Sequence, residues 1–173
     1  MPGGTFPGGL ALLRNAGSCA TATSVRSDGG TATPCPCGNA GAGGHGCANP
    51  VDPNGAERVA SGSLKLTATG LPSAAAPHFL QSGTLENGGA GLVFVDGLLC
   101  VGGSIRRLAL RNASAGVAGL GAGTAQPSSI AEPGQLPPLG GTREHQARYR
   151  NSAAFCTSAT FSSTNALRVV WGD

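Results

Sequence analysis

Cys35, Cys37, His45 and Cys47 stand within thirteen residues of one another. Thiolate and imidazole are the ligands that Zn²⁺ prefers, and a closed tetrahedral site of this set would organise a loop that has little else to hold it. Each pair, Cys35-x-Cys37 and His45-x-Cys47, has a single intervening residue, so its two side chains reach one metal less easily than with the usual gap of two to four. The competing chemistry is oxidation. Cys19, Cys35, Cys37, Cys47, Cys100 and Cys156 are an even set, all of them disulfide candidates, and six cysteines allow fifteen pairings, so spacing does not give the connectivity.

Other candidates are weaker. Asp52 and Asn54, in Asp52-Pro53-Asn54-Gly55, form an oxygen-rich turn of the kind that contributes to Ca²⁺ sites, as does Asp28-Gly29-Gly30. Calcium takes six to eight oxygens, however, and an ordinary Asx or type I turn explains each segment. Ser104 follows two glycines without a G-x-S-x-G frame, and the three imidazoles, His45, His78 and His145, have no carboxylate at a telling spacing. No catalytic residue is assigned and no cofactor is called for. Sugar binding would need an aromatic platform. Phe6, Phe79, Phe94, Phe155 and Phe161 are expected to be core, which leaves Tyr149 and Trp171, with Arg148 and Arg150, as the ligand-facing candidates.

The elements that position these residues follow from composition. Thirty Gly and twelve Pro in 173 residues disfavour helix interiors. Only 11% of residues are charged, so the surface is expected to consist of Ser, Thr, Asn, Gly and backbone. The net charge of +3 is spread without a basic block, which gives no nucleic-acid footprint. Ten of the eleven cations are Arg, a bias that also suits a GC-rich genome. No stretch approaches the ~18 apolar residues of a membrane span, so no membrane insertion is expected. No basic and apolar leader follows Met1, so an exported protein would contain this chain as a fragment or as the downstream module of a longer precursor.

Residues 1–57 read as an irregular, Gly- and Cys-rich extension, packed on or preceding the domain, with one apolar run at Leu10 to Leu13. Residues 58–173 read as an all-β domain. Ser63 to Thr69 alternates with Leu64 and Leu66 inward, His78 to Gln81 is short, and Gly91 to Val95 is apolar on both faces like a central strand. Asp96-Gly97 signals a hairpin turn into Leu98 to Val101, and Ser104 to Arg111 gives a further strand. Ala113 to Gly141 has room for one weak strand. Thr142 to Arg150 alternates, with Glu144, Gln146, Arg148 and Arg150 on one face and His145, Ala147 and Tyr149 on the other, and Leu167, Val169 and Trp171 close the chain. About seven strands predict a single antiparallel β-sandwich, Ig-like or jelly-roll-like.

Several motifs recur in a known order: Cys35-Pro36-Cys37-Gly38-Asn39, Gly46-Cys47-Ala48-Asn49, Gly88 to Gly91, Val93 to Cys100, Gly102 to Ile105 with Arg107-Leu108, Tyr149-Arg150-Asn151, Phe155-Cys156-Thr157 and Phe161 to Trp171. In these the chain resembles a module found toward the C-termini of secreted proteins of planctomycetes and similar bacteria, a family without an assigned activity. The resemblance spans Thr33 to Trp171. It departs at His145 and Ala147, where the family is more aromatic or apolar, and at Cys19, which lies far upstream. It implies secretion and modular use, and an oxidising location favours disulfides over zinc. The expected function is a non-catalytic extracellular or cell-surface module for adhesion, attachment or self-assembly. Its partners would be itself, other cell-surface proteins or glycans, and Leu10 to Leu13 is the segment expected to dock onto another copy, giving a filament. A carbohydrate-binding accessory module is the alternative. An unrecognised hydrolase is the second, and it requires a His within hydrogen-bond reach of Ser, Cys or a carboxylate.

Overall fold

The computed structural model describes residues 12–15, 33–61, 65–121, 124, 130 and 141–171, with backbone alone for 12–15, 59–61, 170 and 171. Thirteen strands are described: β1 (Leu12–Asn15), β2 (Glu57–Ser61), β3 (Lys65–Thr69), β4 (His78–Ser82), β5 (Thr84–Leu85), β6 (Leu92–Phe94), β7 (Gly97–Leu99), β8 (Val101–Gly102), β9 (Arg106–Leu110), β10 (Ala118–Gly121), β11 (Gly141–Arg150), β12 (Phe161–Ser163) and β13 (Leu167–Trp171). Every pairing between them is antiparallel. Among the described residues the helical segments are two short 3-10 turns, Pro36–Gly38 and Glu86–Gly89.

The all-β antiparallel sandwich expected from the sequence is what the chain forms. The larger sheet runs β1-β13-β11-β4-β9, with β12 also on β11, and the smaller runs β10-β3-β2. Their facing sides share one core: Leu66 and Ala68 of β3 and Ala118 and Leu120 of β10 pack with Phe79, Leu108, Ala147, Tyr149 and Val169 of the larger sheet. The alternation in β3 places Leu66 and Ala68 inward as expected, while Leu64 lies outside the described residues. β10 is a strand in the stretch from Ala113 to Gly141, most of whose remainder lies outside the described residues.

The larger sheet is covered on its other face as well. Cys35, Cys47, Leu98, Cys100 and Ala166 form a second core beneath the β6–β7 hairpin and the β5–β8 pair. β11 lies between the two cores, so both of its faces are buried at its centre: Glu144, His145, Gln146 and Ala147 are all inaccessible. Gln146 satisfies its amide against the covering layer, accepting from the Cys100 N–H at 2.9 Å and donating to Leu98 O at 2.9 Å and Thr164 O at 2.8 Å.

Two expectations about strands need correction. Leu92 to Phe94 is one arm of a surface hairpin and no central strand, with Leu92 and Val93 exposed. Its apolar run covers the layer below with one side only. The hairpin turn is centred one residue earlier than Asp96-Gly97, on Val95 and Asp96, because Phe94 pairs with Gly97. Val95 takes the left-handed φ of 59°, a costly conformation for a β-branched residue. Asp96 holds it there, donating its N–H to Phe161 O and accepting from Thr157 N and the Asn151 amide on its carboxylate.

The described residues of the N-terminal third, 12–15 and 33–57, pack on the body of the protein. β1 pairs with β13 from Leu12↔Val170 to Asn15↔Leu167. The Gly-rich stretch is packed backbone to backbone, since a Cβ at Gly46 would run into the Ser163 carbonyl and one at Gly41 into the Gly46 and Asn54 carbonyls.

Candidate functional site

The sulfur chemistry of the N-terminal loop is disulfide formation. Cys35 is bonded to Cys47, and Cys37 to Cys156 across a separation of 119 residues. Cys100 is disulfide-bonded too, and no described cysteine is free; Cys19 lies outside the described residues. A zinc set of Cys35, Cys37, His45 and Cys47 is thereby overturned, because its three sulfurs are consumed and His45 Nδ1 is 2.8 Å from the Gly55 carbonyl. Asp52 and Asn54 are likewise a turn: the Asn54 N–H donates to Asp52 Oδ1 and the Gly55 N–H to Asp52 O.

The histidines are placed apart. His145 is buried in the sandwich core with neither ring nitrogen hydrogen-bonded, and burial, then Arg58 and Arg143, hold its pKa well below the usual value. His78 lies at the start of β4, beside Arg148 in the sheet register. Neither it nor His45 hydrogen-bonds a Ser, Cys or carboxylate. Arg58 is also inside the sandwich, its guanidinium 4.8 Å from the Phe79 ring centre, with Nε and both Nη atoms lacking hydrogen-bond partners.

The ligand-facing candidates divide. Tyr149 is 1% exposed and belongs to the core. Its hydroxyl accepts from the Asn49 amide at 3.0 Å, and burial, with Asp52 and Asp96, pushes its pKa up to about 12. Tyr149 is therefore no sugar platform, because the odd-numbered face of β11 turns inward. The side chain of Trp171 lies outside the described residues. Arg148 and Arg150, on the opposite face of the same strand, do come together at a groove.

That groove, of about 540 Å³, runs between the end of β11, the start of β4 and the 72–76 loop. Arg148 and Arg150 are two apart on one strand and so share a face. Phe161 of β12 stands opposite Arg150 in the register, and the Asp96-held hairpin, on the far edge of β12, brings Phe94 within reach of Arg148. The Arg148 guanidinium carbon is 5.5 Å from the Phe94 ring centre and 5.6 Å from that of Phe161, while Arg150 is 5.8 Å from Phe161. These are cation–π distances, and they fix the orientation of the fork. His78 lines the groove too; burial, then Arg148 and Arg107, lower its pKa.

Comparison with known proteins finds no matching family model, curated protein or solved structure. The site therefore has to be read from its own chemistry.

Among the described residues no Asp or Glu lines the groove, and neither Arg148 nor Arg150 forms an ion pair. The apolar part of its wall includes Val51, Leu110 and Phe161, exposed by 50%, 52% and 36%. Phe161 and Phe155 were expected in the core and are exposed: Phe161 is the first, outward side chain of the three-residue β12, and Phe155 lies in the irregular segment between β11 and β12. His78, Phe94 and Phe161 are thus functional candidates that residue-level reading missed. Only the cross-strand register, which no local pattern encodes, places them beside the two arginines.

Proposed function

We propose that this chain is a non-catalytic module of a secreted or cell-surface protein, and that it attaches its parent protein to a surface through the groove beside β11. The observation that carries this reading is the Arg148 guanidinium within cation–π range of two phenyl rings, with Arg150 beside it and, among the described residues, no carboxylate to neutralise either. Cations with no acid partner among the described residues, oriented by the rings and, for Arg150, by the Thr160 hydroxyl that accepts from its Nε at 3.1 Å, are a binding device at an open groove. The disulfides fit an oxidising compartment. No helix among the described residues is long and apolar enough to cross a membrane. The resemblance to secreted bacterial modules points the same way.

Self-assembly through the first strand has less to stand on. Leu12 and Leu13 already pair with β13 of their own chain, so that segment is engaged at home.

The test is co-sedimentation of the intact, oxidised protein with washed bacterial cell-envelope particles. Retention that falls on Arg150→Ala, with the envelope polymers left at their original length, is expected. Failure to sediment, equal retention of the variant, or depolymerisation of the envelope would each overturn the reading.

A further inference from the structure

The groove presents two chemistries side by side, and we propose that its ligand is a carboxylated polysaccharide whose acid groups dock on Arg148 and Arg150 while an apolar sugar face lies on the Phe161 ring. This rests on the groove being the attachment face.

The charge argument comes first. Two arginines line a groove with no carboxylate among its described residues, and the planar fork of Arg matches a carboxylate bidentately. Arg148 is already ordered by Phe94 and Phe161, so less side-chain freedom is lost when an anion binds. A small inorganic anion would use only this half of the site. The other half is Phe161 with Leu110 and Val51, all exposed and contiguous with the cations along one groove. A uronic-acid ring carries both complements within a single residue, a carboxylate and an apolar C–H face, and aromatic rings are the surfaces on which such faces rest.

An acidic peptide fits less well. Its carboxylates hang on flexible stems, and an extended peptide gains most of its affinity from a free sheet edge. Here β12 is flanked on one side by β11 and on the other by the hairpin, through the Asp96 N–H to Phe161 O bond of 3.1 Å.

Calorimetric titration of the full chain with polygalacturonate, dextran, poly-L-glutamate and sodium sulfate decides the matter. Binding of polygalacturonate, with none of dextran or sulfate and much weaker binding of poly-L-glutamate, is expected. Arg150→Ala should weaken it by about tenfold or more, Phe161→Ser should weaken it as well, and Arg106→Ala, which removes an exposed charge outside the groove, should leave it unchanged. All three positions are exposed in the fold, so each variant remains foldable, and retention of the buried-tyrosine titration verifies it. Equal affinity for poly-L-glutamate, or sulfate binding as tight, removes the sugar from the proposal while attachment through the groove stands. The same holds if polygalacturonate fails to bind yet envelope retention persists. Binding of dextran as tight as polygalacturonate, or indifference to Phe161→Ser, overturns the two-part site. Equal losses from Arg106→Ala and Arg150→Ala reduce the interaction to diffuse charge and overturn both readings.

Discussion

The side-chain amide of Asn165 takes both backbone hydrogen bonds of Arg58, accepting its N–H at 2.6 Å and donating to its carbonyl at 3.2 Å. Asn165 lies between β12 and β13 of the larger sheet and Arg58 in β2 of the smaller, so one amide ties the two layers together as a strand partner would. Asn165→Ala leaves a buried N–H and carbonyl unpaired, each costing about 1–3 kcal/mol. A loss of about 2–4 kcal/mol is expected, read as a lower urea midpoint at unchanged slope.

Arg58 invites the opposite change. Its guanidinium is fully buried with no acid or hydrogen-bond partner, and burial lowers its pKa from the usual value to about 9. Arg58→Met keeps the length and the contact with Phe79 while removing the desolvated charge. It should stabilise the protein by about 1–4 kcal/mol; a lower denaturation midpoint would show that the cation–π contact outweighs the cost of burial.

Tyr149 is the only tyrosine, so tyrosinate absorbance reports it alone. Its folded pKa of about 12 lies above the unfolded value of 10.0. The native state therefore retains the proton where the unfolded chain has lost it. This contribution to stability is complete below pH 10.0 and disappears as pH rises toward about 12. Two pKa units correspond to roughly 2.7 kcal/mol. A normal phenol titration in the folded protein would contradict the burial of this ring.

His78 should report on the groove. Its pKa is lowered by burial, then by Arg148 and Arg107. Arg148→Gln removes one of these cations and should move the imidazole resonance titration upward, toward 6.5. A bound polyanion should do the same in the unmodified protein. No movement in either case would place His78 outside the electrostatic reach of the site.

The disulfides should open in order. Cys37 is exposed, whereas Cys35 and Cys47 are 4% and 1% exposed. Mild reductant followed by alkylation and peptide mapping should label Cys37 and Cys156 before Cys35 and Cys47, because exchange needs thiolate access to sulfur.

Much of the fold was legible because β3, β11 and β13 alternate over runs long enough to fix their faces. The reading failed where a second layer intervened. Glu144 and Gln146 look like a solvent face, yet both are buried, since a hairpin and a cystine-bound loop cover them and Gln146 finds three backbone partners there. A buried, unpaired arginine such as Arg58 carries no sequence signal at all. At the site, Arg148 and Arg150 were within reach of a strand-face argument, and Tyr149 was misplaced for want of knowing which face turned inward. Phe161 lies eleven residues downstream of Arg150 and meets it only through a register set by the turn between the strands.

The Cys37–Cys156 bond has a mechanical meaning. A pull applied at Cys37 and Cys156 passes through the sulfur bridge, so the residues of the 119-residue interval between them are shielded from it. Both cores and the groove lie mainly within that interval. Unfolding under load cannot release the roughly 400 Å of contour that the loop contains, whereas β12 with Phe161 and β13, beyond Cys156, lie on the flanking chain that bears the strain.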